Sequence, residues 1–509
     1  MQRKQLTLVI VSLLVVVLSV SLAYFTTQII GKGKTVDVSS ANLQIVFTDS
    51  DGALTETDIE PGWSATKTFT IKNDTKTEYK YNIVIKDLLN TFVTEGYLQY
   101  KITSTNNGYN MTEFKDIPKS SIATDTILAY SVSIPVGVTQ NYTIEFKYAN
   151  DESVDQSDDM GKKLSGTLFI TEGTEDIYAG YEEGTLGYQI MGDNPTRKTR
   201  DTYTDVFTNN TTGTLFTATE KNVHNIADTT VYYYAGNTTK NWVKFAGYYW
   251  RIIRTNADGS IRMLYSGTSH DTTSGYLSTG TSAFNSSYNN PMYVGYMYGT
   301  SGSLVNNRKN TTNSTIKDKI DTWYTQNMTS YTKYLSTTAV YCNDRTEQTS
   351  GTYNTGNTVF YYAPRARAFT NYTPTYDCTE TSDAFSGSNT SAKLTYPIAL
   401  MTADEIMRAG GKGRTSLTSP YAWYYLNSAN GSITGSTYWW LLSPYNWSGS
   451  FASVFFVNGS SGPGRLNDGS VGGTYGVRPA VSLKSCIKYS TGNGTSETPY
   501  EIVETTSGC

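Results

Sequence analysis

Tyr438-Trp-Trp-Leu-Leu-Ser-Pro444 and Gly476-Val-Arg-Pro-Ala-Val-Ser-Leu483 frame the most informative segment in the second half of the chain. Both runs are short and apolar, which predicts two buried strands. The residues between them are mostly Tyr, Phe, Ser, Gly, Asn, Arg and Asp. We therefore predict a framework that includes Trp447, Val454 and Val457 and displays exposed side chains on short strands and turns.

The region from 185 to 488, which contains both runs, mixes predicted strands and helices. Trp242–Phe245, Tyr248–Ile253 and Ile261–Tyr265 read as strands, the last two joined by a turn. Apolar residues three and four apart predict a helix over 314–328. Thr402-Ala-Asp-Glu405 is a capping-box pattern, which predicts the start of a second helix. The combination predicts an α+β domain.

The first half of the chain alternates apolar and polar residues in short runs. Examples are Thr66-Lys-Thr-Phe-Thr-Ile71 and Gln140-Asn-Tyr-Thr-Ile-Glu-Phe146. Such runs, separated by turn residues, predict an all-β sandwich over 36–172. The acidic, glycine-rich segment 173–184 has no apolar period and predicts a linker. The overall expectation is a multidomain protein, an all-β sandwich followed by an α+β domain.

Residues 1–23 have the composition of a signal peptide. Arg3 and Lys4 precede an apolar run, and Ser21-Leu-Ala23 offers small residues for cleavage. The run is long enough for a membrane anchor if it is not cleaved. A short N-terminal segment, 24–35, would then precede the sandwich. The expected location is secreted or on the extracellular side of the cell surface.

The overall composition narrows the class of protein. The 40 basic and 44 acidic residues give a net charge of −4, and only 17% of residues are charged. This balance predicts no nucleic-acid partner. With only two histidines, no histidine-based metal site is expected, whereas 42 tyrosines with abundant Ser, Gly and Asn are typical of binding surfaces.

The four cysteines lie late in the chain, at Cys342, Cys378, Cys486 and Cys509. Four cysteines allow three pairings. Sequential pairing is favoured because each bond then closes a loop within one local unit. It would also close the C-terminal tail, 489–509.

Two resemblances follow from these motifs. The Trp439-Trp-Leu and Gly476-Val-Arg-Pro-Ala480 frame resembles C-type-lectin-like domains, in the branch shared by formylglycine-generating enzymes and the variable proteins of diversity-generating retroelements. Ile59-Glu-Pro-Gly-Trp63, after the leader, is similar to the camelysin and biofilm-fibre family of Gram-positive spore formers. That second resemblance implies self-assembly through the N-terminal sandwich.

The lectin-like resemblance implies a variable region at 440–480 and a face that binds a protein or glycan ligand on another cell or host surface. The residues of that face would be Tyr445, Asn446, Ser448, Gly449, Ser450, Phe451, Ser453, Phe455, Arg465, Asn467, Asp468 and Tyr475. The expected function is that of an exported bacterial receptor or adhesin, diversified by a retroelement. The alternative is a structural subunit of an extracellular fibre or matrix without a specific ligand.

An enzyme is not expected. The enzymatic relatives use a cysteine pair shortly before the Gly-Val-Arg strand, whereas this sequence has no cysteine between Cys378 and Cys486. His224 and His270 stand in polar loop sequence without a nucleophile motif. We predict no catalytic residue, no metal ligand and no cofactor.

Overall fold

The structure is a computed structural model. It describes residues 59–174, 176–210, 213–270, 279–348, 352–425 and 438–509, and the backbone of strands at 35–40, 43–49 and 54–56. The predicted signal peptide, 1–23, lies outside the described residues. Within the described residues, no helix has the length and apolar character needed to cross a membrane. The chain divides into two compact units, 1–176 and 177–509.

Unit 1 consists of two antiparallel sheets. Their orders are β1-β2-β4-β9-β6-β7 and β3-β10-β5-β8. The strands are β1 (Thr35–Ser40), β2 (Leu43–Asp49), β3 (Leu54–Glu56), β4 (Ser64–Asn73), β5 (Tyr79–Asn90), β6 (Leu98–Ser104), β7 (Lys115–Asp116), β8 (Ser120–Ile134), β9 (Thr139–Tyr148) and β10 (Leu164–Glu172).

One hydrophobic core joins the two sheets of unit 1. Phe69 and Ile71 of β4 contribute from one sheet, and Ile83 of β5 contributes from the other. Along β4, buried residues alternate with exposed or half-buried ones. This is the period-2 pattern that the sequence shows, and it gives two sheets packed face to face.

Unit 2 is built mainly from strands. They are β11 (Arg197–Lys198), β12 (Leu215–Glu220), β13 (Thr229–Tyr234), β14 (Trp242–Phe245), β15 (Tyr248–Thr255), β16 (Ile261–Tyr265), β17 (Thr281–Ala283), β18 (Met297–Tyr298), β19 (Thr312–Asn313), β20 (Tyr341–Cys342), β21 (Phe360–Tyr361), β22 (Ala384–Phe385), β23 (Ile398–Leu400), β24 (Trp439–Trp447), β25 (Ala452–Val457), β26 (Leu466–Ser470), β27 (Thr474–Gly476), β28 (Pro479–Leu483), β29 (Tyr489–Thr491) and β30 (Tyr500–Ile502).

The α-helices among the described residues of unit 2 have 4 to 13 residues. They are α1 (Leu186–Asp193), α2 (Leu304–Asn307), α3 (Thr315–Asn327), α4 (Ala363–Ala366) and α5 (Ala403–Ala409), and a π-helical turn, Arg367–Asn371, continues α4. The predicted capping box is confirmed: Glu405 N donates to Thr402 Oγ1, and Thr402 N donates to the Glu405 carboxylate. These findings confirm a β-rich multidomain chain.

Two large sheets share the core of unit 2. The larger sheet holds β11 to β16 together with β23, β28, β29 and β30. Its early and late strands meet directly, because β14 pairs with β30 in parallel. Next to this sheet, Leu186 N at the start of α1 donates to Ile487 O. The smaller sheet has the order β17-β27-β24-β25-β26, with β21 beside β24.

The segment predicted as a linker, 173–184, spans the division between the units at 176 and 177. Tyr181, near its end, donates a hydrogen bond to Gly259 O of unit 2 at 2.8 Å. The predicted tail, 489–509, supplies β29 and β30 to the larger sheet.

A buried ionic network fixes α5 to the larger sheet. Glu405 lies 3.1 Å from Arg254 Nε and 2.7 Å from Arg262 Nη1. Arg254 also pairs with Glu220, and all four side chains are at most 3% exposed. Each buried charge therefore has a charged partner, which is the condition for keeping it out of water.

Two disulfides close loops in unit 2. Cys342 bonds to Cys378, and Cys486 bonds to Cys509. This is the sequential pairing that the sequence favours. Disulfides persist in oxidising compartments, so their presence suits an extracellular protein.

Candidate ligand-binding face

Three strands of the predicted variable region, β24, β25 and β26, lie side by side at one end of the smaller sheet. β24 pairs antiparallel with β25, and β25 pairs antiparallel with β26. All six residues of β25 are buried, including Ser453 and Phe455 at 0% exposure. Because β25 lies between two strands and is covered on both faces, the prediction of exposed side chains is wrong for this strand.

On one face of these strands, charged and aromatic side chains from distant segments come together. We call this set the arginine–aromatic cluster. Its members are Tyr361, Arg365, Phe369, Arg414, Tyr445, Phe455 and Asp468.

Aromatic contacts hold the floor of the cluster. Phe369, from the π-helical turn, lies 5.7 Å from Tyr445 and 5.9 Å from Phe455, measured between ring centroids. Tyr445 and Phe455 meet edge to face at 5.2 Å. Turns of π-helix occur frequently at functional sites, and this one places an aromatic ring against the strands.

The two arginines lie on this floor. The Arg365 guanidinium stacks 4.1 Å from the Tyr361 ring, and that of Arg414 lies 5.2 Å from the Phe369 ring. Arg414 Nη2 donates to Tyr445 Oη at 3.2 Å and lies 3.7 Å from Asp468 Oδ1. The Arg414 side chain is 64% exposed and that of Asp468 is 24% exposed, so the cluster opens to solvent here.

The cluster shifts the pKa values of its own acids. Burial raises the pKa of the Asp468 carboxyl, although the charge of Arg414 opposes this shift. Burial also raises the pKa of Tyr445, and the nearby Asp468 charge adds to the effect. Burial removes water from the Asp468 carboxyl group, and a ligand that hydrogen-bonds to this group would replace the lost water.

Three buried polar atoms at this face have no hydrogen-bond partner among the described residues. They are Arg365 Nε, Asn446 Oδ1 and Ser453 Oγ. Asn446 lies opposite both Tyr361 and Ser453 in the strand register, so two of these atoms belong to paired residues. Buried polar groups are normally hydrogen-bonded, and such exceptions call for an explanation.

A second part of the predicted face is the β24–β25 turn, residues 448–451, which we call the hairpin tip. Phe451 is 39% exposed, and Tyr288, whose carbonyl accepts from Ala452 N at 2.8 Å, is 51% exposed. Gly449 has φ +89°, and an added Cβ would lie 2.3 Å from Asn357 O. Its backbone therefore requires glycine.

The remaining predicted residues lie elsewhere. Tyr475 packs on the opposite face of the sheet, with its ring 4.4 Å from Trp440 and 4.7 Å from Phe456. Asn467 is opposite Phe456 in the register. Arg465 belongs to the loop before β26, where its N–H donates to Gly462 O at 3.2 Å.

The structure thus divides the twelve predicted residues. It brings Tyr445, Asn446, Ser453, Phe455 and Asp468 to the arginine–aromatic cluster face, and it puts Ser448, Gly449, Ser450 and Phe451 at the hairpin tip. Sequence reasoning missed four members of the cluster: Tyr361, Arg365, Phe369 and Arg414. One signal was available for two of them: Arg365 and Phe369 are four residues apart, so a helical turn would place their side chains on the same face.

Each histidine contacts a polar or aromatic side chain of unit 2. His224 Nε2 lies 2.7 Å from Ser386 Oγ, and the His270 ring meets the Tyr249 ring edge to face. Among the described residues, no group of three His, Cys, Asp or Glu side chains is placed to hold a metal ion.

Comparison with known proteins adds one family match. The family model described as a domain of unknown function (DUF6273) matches residues 370–485, which include α5 and β24–β28. No curated protein sequence matches the chain significantly.

Two solved structures are similar at low scores. One, titled "AvmM Catalyzes Macrocyclization in Alchivemycin A Biosynthesis", has 10% identity and a TM-score of 0.16 and covers 29% of this chain and 98% of that chain. The other, a ruminal GH26 endo-beta-1,4-mannanase, has 13% identity and a TM-score of 0.15 and covers 36% of this chain and 35% of that one. Neither match carries an inference about fold or function.

Proposed function

We propose that this chain is an exported bacterial surface protein whose unit 2 is a C-type-lectin-like domain that binds a ligand. The observation that carries the proposal is the arginine–aromatic cluster, where Arg414 and Asp468 reach solvent above buried rings. The ligand is a protein or glycan on another cell or host surface. The proposed role is binding rather than catalysis.

The composition of the cluster suits recognition. Rigid aromatic rings offer contact area at low entropic cost, and arginine is enriched with them at binding hot spots. A guanidinium that stacks on a ring keeps its hydrogen-bond donors free for a partner. Arg414 and Arg365 are both held in this way.

The unpartnered atoms support the same proposal. A ligand that bonds to Asn446 Oδ1 or Arg365 Nε would remove the cost of leaving these groups unsatisfied. Phe451 of the hairpin tip and the neighbouring Tyr288 are both exposed and would form the rim of the contact.

Retroelement diversification is a separate part of the proposal. Substitution is tolerated at exposed positions such as Ser450 and Phe451, whereas Ser453 and Phe455 are packed inside the sheet. We therefore propose that variation is confined to Ser448, Ser450 and Phe451 of the hairpin tip and to Asp468 of the cluster, whereas Gly449 stays constant. The genomic check is a near-copy of codons 440–480 beside a reverse transcriptase gene, and the absence of both would refute diversification.

The binding test uses the fluorescently labelled protein on glycan arrays and on intact bacterial and host cells. We expect Arg414→Ala and Asp468→Asn to weaken binding on the order of tenfold or more, since hot-spot residues carry most of the binding energy. Arg465→Ala, in the loop outside the cluster, is the matched control and should bind like the parent protein. Equal binding by all variants, together with filaments of purified protein, would favour the structural-subunit alternative.

A further inference from the structure

Unit 1 has a long strand at the edge of its smaller sheet. β8 pairs with β5 on one side and is the last strand in the order β3-β10-β5-β8. Its first half, Ser120-Ser-Ile-Ala-Thr-Asp-Thr-Ile127, carries a single charge, Asp125. Residues 121–125 are exposed, and Ile122 is 73% exposed. An exposed apolar residue on a weakly charged edge makes a template for another strand.

Two backbone carbonyl groups of this segment accept hydrogen bonds from neighbouring hydroxyls. Ile122 O accepts hydrogen bonds from the hydroxyls of Ser120 and Thr124. Thr124 O accepts from the Thr126 hydroxyl at 3.4 Å. Hydroxyl groups can rotate away when an N–H of an added strand offers a better bond, so these contacts do not block strand addition.

We propose that β8 pairs in antiparallel register with β8 of a second copy of this chain, centred on Ile122. This interaction goes beyond the proposed ligand-binding function and does not depend on it. In this register Ile122 meets Ile122 of the partner, which removes two exposed apolar side chains from water. A two-fold axis at this point makes the contact closed and self-complementary.

Charge selects this register. With Ile122 opposite itself, Lys119 lies opposite the partner's Asp125, and Asp125 lies opposite the partner's Lys119. Both side chains reach solvent. Lys119 is half exposed; it donates to Val93 O at 2.8 Å and lies 3.5 Å from Glu95 Oε1, in a surface ion pair that is 84% exposed at Glu95. Asp125 accepts from Asp87 N. Opposite charges directly across a strand pair stabilise it, so a shift by one residue would lose both pairs.

The first experiment is cross-linking of a single introduced cysteine. The described chain has no free cysteine, so Ile122→Cys creates one reactive thiol. A short bis-maleimide should join two copies through the introduced thiols, because the two-fold axis puts them side by side. Val136→Cys is the matched control, since Val136 is also exposed (52%) in unit 1 but lies outside the proposed contact. Equal cross-linking of both variants overturns the proposal.

The second experiment tests the register by charge exchange. Sedimentation equilibrium of the purified protein should show a weak, concentration-dependent dimer, as expected for a small interface. Lys119→Asp and Asp125→Lys should each weaken the dimer on the order of tenfold, because each change creates two like-charge contacts across the axis. The double variant should restore it, and Lys162→Asp, an exposed lysine in the loop before β10, should have no effect.

Three results overturn the proposal. They are a monomer at concentrations up to about 1 mM, failure of the double variant to restore the dimer, and equal effects of Lys119→Asp and Lys162→Asp. Failure of glycan or cell binding would leave the dimer test unaffected, so the two proposals are distinguishable.

Discussion

At the scale of single residues, Glu405 has two roles. Its backbone and side chain complete the capping box of α5 with Thr402. The same carboxylate neutralises Arg254 and Arg262, which are buried in the larger sheet. A local sequence motif and a long-range ionic network therefore depend on one side chain.

Glu405→Gln separates these roles. Glutamine keeps an acceptor for Thr402 N but leaves the two arginines without their shared counter-ion, which should lower the free energy of unfolding by about 3–5 kcal/mol. Urea denaturation measures the change. Glu501→Gln is the control: Glu501 pairs with Lys244 at 3.1 Å on the surface, with both side chains more than 40% exposed, and should cost under about 1 kcal/mol. If both variants lowered the free energy of unfolding by the same amount, the buried ionic network would not contribute more than a surface ion pair.

The same residue predicts a pH dependence. Burial raises the pKa of Glu405, but the charges of Arg262 and Arg254, together with hydrogen bonds from Thr402 N and Arg262, hold it below the ordinary value of 4.5. A lowered folded-state pKa contributes stability above pH 4.5, and this contribution is lost as the pH falls from there through the folded pKa. The stability difference between the parent protein and Glu405→Gln should therefore shrink below that pH. Urea titrations at several pH values test this, and a constant difference would refute it.

At the scale of elements, the β24–β25 hairpin changes character along its length. Its tip is exposed at Phe451, whereas Phe455, four residues later, is fully buried against Phe369 and Tyr445. Two residues of the same type thus serve as surface and core within one hairpin.

We expect Phe455→Ala to lower the free energy of unfolding by about 3–5 kcal/mol, because it removes a buried ring from a covered strand. Phe451→Ala should change it by no more than about 0.5 kcal/mol. Urea denaturation of both variants measures the contrast. A loss of less than about 1 kcal/mol for Phe455→Ala would contradict the burial of this ring between the strand and Phe369.

The hairpin also shows what sequence reasoning can and cannot find. Thr402-Ala-Asp-Glu405 predicted a helix start correctly because capping depends on neighbouring residues. The strands of unit 1 were predicted from alternation because one face of each packs on the core. Burial of Ser453 and Phe455 could not be predicted in this way, since the π-helical turn that supplies Phe369 comes from a distant segment. Arg365 and Arg414 could not be assigned to the cluster from the sequence for the same reason: they come from segments distant from β25.

At the scale of the whole molecule, the two units differ in covalent support. Both disulfides lie in unit 2, and all four cysteines of the sequence belong to it. Seven of the eight tryptophans also belong to unit 2, and Trp63 belongs to unit 1. Tryptophan fluorescence therefore reports mainly on the unit that the disulfides stabilise.

Reduction of the disulfides should lower the thermal stability of unit 2 alone. A reductant should lower the midpoint of the fluorescence-detected thermal transition, because loss of a disulfide costs about 2–5 kcal/mol. The calorimetric transition of unit 1 should not move. Replacing Cys342 and Cys378 with alanine should shift the unit 2 transition without reductant. Movement of both transitions by the same amount would show that the units do not unfold separately.

The pairing of β14 with β30 has a consequence for the order of events during synthesis. Val243 and Tyr500 are partners in this ladder although 257 positions separate them. Contacts of such high sequence separation slow folding, because a long loop must close before they form. The strands of unit 1 are all made by residue 172, so unit 1 can fold while unit 2 still waits for its closing strand. Unit 2 can therefore complete its larger sheet only after β30 has been synthesised, whereas unit 1 can close its core during translation.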